Sequence, residues 1–284
     1  MNNIASTFAP SQHRIQKDGI GYTRGMTDDE MRKIAPSIFA EAAHESRSAR
    51  YGYVPTFDVV QGMRNEGFLP VKVVQCKSRL EGKKDFTKHM MRFRRHDQLA
   101  AAEAREVVIV NSHDGSSAYE MMAGVFRMIC ANGLIIGSKD NCIKVRHNSS
   151  AVQNVIEGAY EIVHDFDRVG EAIEGMKALQ LQPRDQIAFG RAALALRFDD
   201  PDNCGFTPEQ IVMPRRNEDK ILDLWTTYNV AQENLIKGGL KGERFNANGK
   251  RVKATTRSIN GIGQDVALNR ALFTLAQSMK DMLS

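Results

Sequence analysis

The spacing of hydrophobic positions changes near residue 150 and divides the chain into two parts. Before it, short apolar runs such as VKVVQCKSRL (71–80) and REVVIV (105–110) are separated by polar turns, a pattern typical of strands. After it, apolar residues recur every three or four positions from Val152 to Met176, which predicts amphipathic helices. The pattern predicts an α+β fold: a mostly antiparallel hairpin sheet with a packed helix, followed by a helical C-terminal part.

Several local signals place elements in the first part. Thr27 opens a capping-box sequence, and Thr56 is a second predicted N-cap. The segment KHMMRFRRHD (88–97) predicts a strand with basic side chains at even spacing. The turn NSHDGSSAY (111–119) is followed by a segment ending at Cys130 that is predicted as a helix.

In the second part, helices are predicted from Pro183, over 218–237 and over 263–282, with a basic, glycine-containing loop at 238–258. We expect a loose N-terminal arm at 1–25, an α+β sheet unit at 26–149 and a helical part at 150–284. Because the apolar stripe of 152–176 is too wide to stay exposed, the helical part is expected to pack on the sheet unit.

Composition favours a soluble globular protein. Hydrophobic residues make up 42% of the chain and charged residues 26%. The longest apolar runs are shorter than a membrane span, and the N-terminal sequence has no apolar signal-peptide core. We therefore expect a cytoplasmic protein without a membrane partner.

No motif for catalysis or cofactor binding is present. The four cysteines contain no C-x-x-C pair, so neither they nor the histidines have zinc-site spacing. No Walker motif or dinucleotide fingerprint occurs, and the acidic loop at 199–202 is more typical of a solvated, proline-containing turn. We expect no metal, no cofactor and no enzymatic activity.

Charge is segregated along the chain. Residues 71–96 contain nine basic side chains and two acids, residues 237–257 contain seven and one, and residues 157–174 contain six acids and one base. Segregated positive charge with interleaved Phe86 and Phe93 suits a nucleic acid, through phosphate attraction and base stacking. Charge runs are also common on ordinary solvated surfaces, so this inference stays open.

The predicted contacts form one groove for the backbone of single-stranded DNA. Its members are basic residues of the strand at 88–97, of the preceding hairpin loop and of the later basic loop. They are Lys83, Lys84, Lys88, Arg92, Arg94, Arg95, Lys250, Arg251, Lys253 and Arg257.

The serine-rich turn after the strand REVVIV allows two interpretations. It could be a structural turn that caps the next helix, or an anion-binding turn that offers backbone N–H groups and hydroxyls at a helix N-terminus. The residues of the second interpretation are Asn111, Ser112, His113, Ser116 and Ser117.

Seven stretches resemble the phage- and plasmid-like proteins of the domain of unknown function 932 family. They are VPTFDVVQGMRNEGF (54–68), FTKHMMRFRR (86–95), VNSHDGSSAYEMMAGVFRMICANGLIIG (110–137), IKVRHNS (143–149), IEGAY (156–160), DLWTTYNVAQENLIKGGL (223–240) and GIGQDVALNRALFTLA (261–276). The resemblance implies a mobile-element origin and assigns no activity.

A second, architectural likeness concerns the phage single-strand annealing recombinases, which place a basic antiparallel sheet on helices. Together these features predict a mobile-element protein that binds nucleic acid, single-stranded DNA above all, in recombination or strand annealing. Handling of single strands and open strand edges predict a homo-oligomer. The alternative is an inhibitor that binds a host defence protein.

Overall fold

The computed structural model describes residues 24–47, 52–78, 82–137, 142–146 and 150–284. The chain divides into two compact units: Met1–Ile135 with Asp140–Phe166, and Ile136–Lys139 with Asp167–Ser284. Most of the predicted N-terminal arm, residues 1–23, lies outside the described residues. The fold is α+β, with an antiparallel sheet in the first unit and a helical second unit, as the hydrophobic pattern predicts.

The first unit is built around a six-stranded sheet. Its elements are α1 (Asp28–Ile34), α2 (Thr56–Asn65), β1 (Phe68–Gln75), β2 (His89–Arg95), β3 (Glu103–Asn111), β4 (Tyr119–Arg127), β5 (Asn132–Ile136), β6 (Ile143–Val145) and α3 (Ala151–His164). The strands follow one another in the order β1-β2-β3-β4-β5, and β6 pairs with β4. The ladders β1·β2, β2·β3, β3·β4 and β4·β6 are antiparallel.

The helix predicted after the serine-rich turn is wrong, because this segment forms β4. It pairs with β3 over eight positions, from Glu103↔Arg127 to Val110↔Glu120, and with β6 near Tyr119. Side chains on both faces of β4 are buried, so its sequence lacks the alternation of an amphipathic strand. Pairing with neighbouring strands outweighs the local helix propensity of its methionine and alanine residues.

One face of the sheet packs against α2 and α3. Met91, Phe93 and Ile109 of the sheet share a buried cluster with Val155 and Ala159 of α3. Because α3 buries its apolar side on the sheet, it belongs to the first unit. The division therefore falls after Phe166, instead of at the predicted boundary of 149.

The opposite face is organised by a buried carboxylate between two arginines. The Glu106 carboxylate accepts hydrogen bonds from Arg92 Nη1 at 2.8 Å and Arg94 Nε at 2.7 Å. Burial alone would raise the pKa of Glu106, but the charges of Arg94 and Arg92 and their hydrogen bonds outweigh it and lower that pKa. Glu106 is thus an ionised group inside the core.

The hydrogen bonds of Arg92 show that the sheet is curled. Arg92 donates to the backbone oxygens of Gly133 at 2.8 Å and Leu134 at 3.2 Å, both in β5. In a flat sheet β5 would lie about 14 Å from β2, because strands are spaced about 4.8 Å apart. Direct hydrogen bonds therefore require β5 to fold back over the face of β2. Gly133 leaves room for the guanidinium, since a Cβ there would lie 2.7 Å from Arg92 Cζ.

The second unit contains α4 (Phe166–Ala178, whose first residue belongs to the first unit), α5 (Pro183–Arg197), α6 (Pro208–Val212), α7 (Leu224–Lys237), β7 (Lys241–Phe245), β8 (Arg251–Thr255) and α8 (Ile262–Leu283). Helix α7 begins six residues later than predicted, because Asp223 caps it by accepting from Thr226 N at 2.6 Å. The stretch predicted as a basic loop, 238–258, contains the antiparallel hairpin β7–β8.

Among the described residues, no helix is both long enough and apolar enough to cross a membrane.

Replacement of Glu106 tests the role of the buried carboxylate. We expect Glu106→Gln to lower the free energy of unfolding by about 3–5 kcal/mol, since two buried guanidinium groups lose their counter-charge. Urea denaturation followed by circular dichroism measures the change.

The matched control is Glu103→Gln on the same strand, whose carboxylate is partly exposed and lies 4.0 Å from Arg127 Nε. A partly exposed pair at this distance is expected to contribute about 0–1 kcal/mol, as surface ion pairs do. Equal losses in the two variants would contradict the role assigned to Glu106.

Candidate nucleic-acid interface

The two central arginines of the predicted groove, Arg92 and Arg94, do not lie on the surface. Arg92 and Arg94 are each 1% exposed and bind Glu106, so neither guanidinium is available to phosphate. Phe93 is fully buried on the other face of β2. The even spacing of the basic residues correctly places Arg92 and Arg94 on one face, but that face is covered. Their inclusion in a binding surface is therefore wrong.

The other basic residues of this region do not restore a continuous track. Lys84 is exposed, Lys88 is partly exposed, and Lys83 lies 3.7 Å from the Asp114 carboxylate. Arg95 is exposed beside Asp97. Lys88 and Arg95 lie at opposite ends of β2, about 20 Å apart along a strand of this length. Charge is thus scattered over the first unit.

The polar groups of the serine-rich turn hydrogen-bond to one another. The Asp114 carboxylate accepts from Ser116 N at 3.0 Å, and Ser112 Oγ accepts from Ser117 N at 2.8 Å. Burial would raise the pKa of Asp114, but hydrogen bonds from Ser116 and Ser112 and the charge of Lys83 lower it. An ionised internal carboxylate therefore takes the place of an external anion.

No helix follows this turn, so the helix N-terminus that the anion-binding interpretation needs is missing. Asn111, Ser112 and His113 are also fully buried. The anion-binding interpretation of Asn111, Ser112, His113, Ser116 and Ser117 is therefore wrong. The segment is a structural turn, but it caps no helix, because a strand follows it. The turn connects β3 to β4.

A buried polar cluster surrounds the Thr56 hydroxyl at the start of α2. Thr56 is the first helical residue, after Pro55 at the N-cap, so it does not cap the helix as predicted. Its Oγ1 lies 2.9 Å from His113 Nε2, 3.2 Å from His89 Nε2 and 3.0 Å from Asn111 Nδ2. The hydroxyl thereby joins α2 to β2 and β3.

A chain of hydrogen bonds determines which nitrogen of His89 carries the proton. Gln75 donates through Nε2 to Lys84 O, so its Oε1 faces the hydroxyl of Ser37 at 2.9 Å. Ser37 donates to that oxygen and accepts from His89 Nδ1 at 2.8 Å. Neutral His89 is therefore protonated on Nδ1 and accepts through Nε2 from Thr56.

Burial, followed by the nearby His113, lowers the pKa of His89 to about 3. His89 is therefore neutral at physiological pH. Because its side chain is 0% exposed, this cluster stabilises the core and presents nothing to a ligand.

The hairpin β7–β8 is where basic side chains are exposed together. Register pairs Glu243 with Lys253 and Phe245 with Arg251, so these four side chains share one face. All four are exposed, as are Lys250 in the turn and Arg257 after β8. Arg251 Nε binds the Glu243 carboxylate at 2.5 Å, with the two side chains 73% and 42% exposed.

The other face of the hairpin rests on the loop before α6. A Cβ on Gly242 would overlap the carbonyl oxygen of Gly205, so the two backbones meet without side chains between them. Asn203 brackets Phe245, donating to its carbonyl at 3.2 Å and accepting from its N–H at 3.0 Å. These contacts hold β7 in place along its outer edge.

The root of the hairpin is anchored at the end of α7. Asn234 Nδ2 donates to three backbone oxygens of the 210–213 segment, and its Oδ1 accepts from Arg215 Nε at 2.6 Å. Arg215 also donates to Gly238 O at 2.7 Å, and Thr256 Oγ1 accepts from Leu240 N at 2.8 Å. The hairpin is therefore a supported element.

Sequence reasoning missed Phe245 and the hairpin itself. The signal was the Asn248-Gly249 dipeptide between the short segments KGERF (241–245) and RVKAT (251–255), since Asn-Gly is favoured in hairpin turns. Asn246 Oδ1 accepts from the N–H groups of Asn248 and Lys250, each at 3.0 Å, and shapes the turn. High charge on both strands made this stretch look like a loop.

Within the described part of the chain, no group of three or more His, Cys, Asp or Glu side chains is placed to hold a metal ion.

The chain belongs to the family described as domain of unknown function (DUF932), whose model matches residues 43–273. It is 43% identical over 283 residues to UPF0380 protein YafZ of Escherichia coli (strain K12), with 100% of both chains covered. It is also 42% identical over 283 residues to UPF0380 protein YfjQ of the same organism, again over 100% of both. No solved structure matches the chain.

The pKa of His89 predicts acid sensitivity. Between about 3 and the ordinary value of 6.5 the unfolded chain binds a proton that the folded chain does not, so stability falls as pH decreases. From pH 7 to pH 5 this loss is about 2 kcal/mol, and His89→Gln should remove most of it. Urea titrations at the two pH values measure it. The control is His96→Gln, an exposed histidine, and equal pH dependence in all three proteins would contradict the prediction.

Proposed function

We propose that this protein binds nucleic acid through the hairpin β7–β8, with single-stranded DNA as the substrate. The observation that carries the proposal is the supported hairpin with six basic side chains and one acid between residues 241 and 257. It replaces the groove centred on Arg92 and Arg94. We extend the proposal to a non-enzymatic, cytoplasmic role of a mobile-element protein in recombination or strand annealing. The family resemblance suggests only the mobile-element origin, and the architectural likeness to phage annealing recombinases suggests the annealing role.

The physical basis is the attraction of phosphates by exposed ammonium and guanidinium groups. Each phosphate that is neutralised releases condensed counterions, so affinity falls with salt by about 0.7 log units per contact for each tenfold rise in salt on single strands. Since Lys250, Arg251 and Lys253 are exposed, they can reach phosphates without unfolding. A backbone contact of this kind is largely independent of sequence.

The test is fluorescence anisotropy with labelled single-stranded and duplex oligonucleotides at several salt concentrations. We expect the variant Lys250→Ala/Arg251→Ala/Lys253→Ala to bind more weakly and to lower the salt slope by about 2, which corresponds to three lost phosphate contacts. The wild type should bind most tightly at low salt.

A control of equal charge is Lys33→Ala/Arg184→Ala/Lys220→Ala, which removes three exposed basic side chains outside the hairpin. It should retain most of the affinity and the slope. If both triple variants bind alike, the hairpin is not the contact. Absence of binding to every oligonucleotide at low salt would reject the function and favour the host-defence inhibitor.

The acid on the hairpin should oppose binding. Glu243 pairs with Arg251 and repels phosphate, so Glu243→Gln should tighten binding by about 2- to 5-fold, the equivalent of one exposed ion pair. The same titration measures this, with the exposed acid Glu218→Gln as control. Weaker binding by Glu243→Gln would mean that the ion pair positions Arg251.

Self-association remains a further prediction, since proteins that cover single strands commonly act as many subunits on one polymer. Light scattering with and without a single-stranded oligonucleotide measures it. A monomeric mass in both conditions would contradict it.

A further inference from the structure

Phe245 is an exposed aromatic ring on a fixed backbone. Its side chain is 58% exposed, although its N–H and carbonyl are both held by Asn203. The only other large aromatic side chain among the described residues with comparable exposure is Tyr160, at 43%. Tyr160 donates to Glu66 and packs against Phe68, which accounts for its position. No ring or cation–π contact accompanies Phe245 in the described structure.

Charge surrounds this ring on its own face. Arg251 lies directly opposite Phe245 in the strand register, and Lys253 lies one pair further along on the same side. An exposed phenyl ring opposite a guanidinium, with an ammonium group and Glu243 on the next pair of the same face, contributes nothing to packing. It suits a ligand with an aromatic face and an attached anion. A nucleotide has both parts.

Resting on the proposed function, we infer that Phe245 stacks on an unpaired base while Arg251 and Lys253 bind the neighbouring phosphates. The hairpin then binds single strands in preference to duplexes. In a duplex both faces of each base are covered by its neighbours, so a ring outside the helix finds only an edge or a backbone. In a single strand the base can turn onto the ring at little cost, which is how sequence-tolerant single-strand binding is commonly achieved.

The two hydrogen bonds between Asn203 and the backbone of Phe245 favour this role. Because the backbone of Phe245 is held in the free protein, binding orders only the side chain and the nucleotide, which lowers the entropic cost of association. Gly205 also supports β7, because it lets the strand approach closely: a Cβ there would lie 2.8 Å from Glu243 O. Phe245 is thus presented before the ligand arrives.

The experiment separates stacking from phosphate attraction by the choice of probe. Three fluorescent probes of equal length are titrated with full-length protein: a single-stranded thymidine oligonucleotide, an abasic single strand with the same phosphates, and a duplex. The proteins are wild type, Phe245→Ala and Phe245→Trp. Circular dichroism and thermal unfolding check that the variants are folded.

Wild type should bind the thymidine strand about 5- to 100-fold more tightly than the abasic strand, the range expected for stacking of one base. Phe245→Ala should lose that preference with unchanged affinity for the abasic strand, and Phe245→Trp should keep it. The added indole of Phe245→Trp should be quenched on binding thymidine and unaffected by the abasic strand.

Two failures are distinguishable. Equal binding of thymidine and abasic strands by wild type, or a preference that survives Phe245→Ala, overturns the stacking role and leaves phosphate binding by the hairpin intact. Equal or tighter binding of the duplex likewise overturns the single-strand role. Lack of binding to all three probes rejects the proposed function itself.

Discussion

The ionised carboxylate of Glu106, held between Arg92 and Arg94, is the interaction on which the rest of the first unit depends. Three charges inside a core are costly, and they are tolerated because each finds partners of suitable geometry. Arg92 also binds the carbonyls of β5, and Arg94 lies 4.3 Å from the ring of Phe126. The sheet curls around this cluster, which leaves its other face for the helices.

The two units use polar residues in opposite ways. In the first, Thr56, His89 and His113 are sealed in the core and hydrogen-bonded between elements, where they specify how α2 meets the sheet. In the second, polar residues of the buried helix α7 anchor a hairpin whose own side chains face solvent. Asn234 and Arg215 connect these roles, since they hold the end of α7 and the start of the hairpin together. Exposed positive charge is consequently presented by a supported element.

Basic residues therefore differ in what surrounds them, although their local sequences look similar. The alternation in HMMRFRR places Arg92 and Arg94 on one side of a strand, and that inference is correct. Whether this side is exposed depends on residues distant in the chain: β5 folds back over it, and Glu106, fourteen residues from Arg92, binds both guanidinium groups. The alternation in RVKAT also places Arg251 and Lys253 together, and among the described residues no layer covers that face. A count of charges along the sequence therefore does not distinguish the buried segment HMMRFRR from the exposed segment RVKAT.

Hydrophobic spacing was sufficient to predict the α+β class, most strands of the six-stranded sheet and most helices, because period and capping are local properties of the chain. It failed for β4, where burial on both faces removes alternation. For α3 it correctly indicated a helix whose apolar stripe packs on the sheet, but it assigned that helix to the second part of the chain. The sequence also determined that Arg92 and Arg94 share a face and that basic residues are concentrated at 238–258. Only the tertiary structure decided that the arginines are buried and that Phe245 is exposed, because both outcomes depend on contacts with residues distant in the chain: Glu106 for the arginines, and Asn203 and Gly205 for the hairpin.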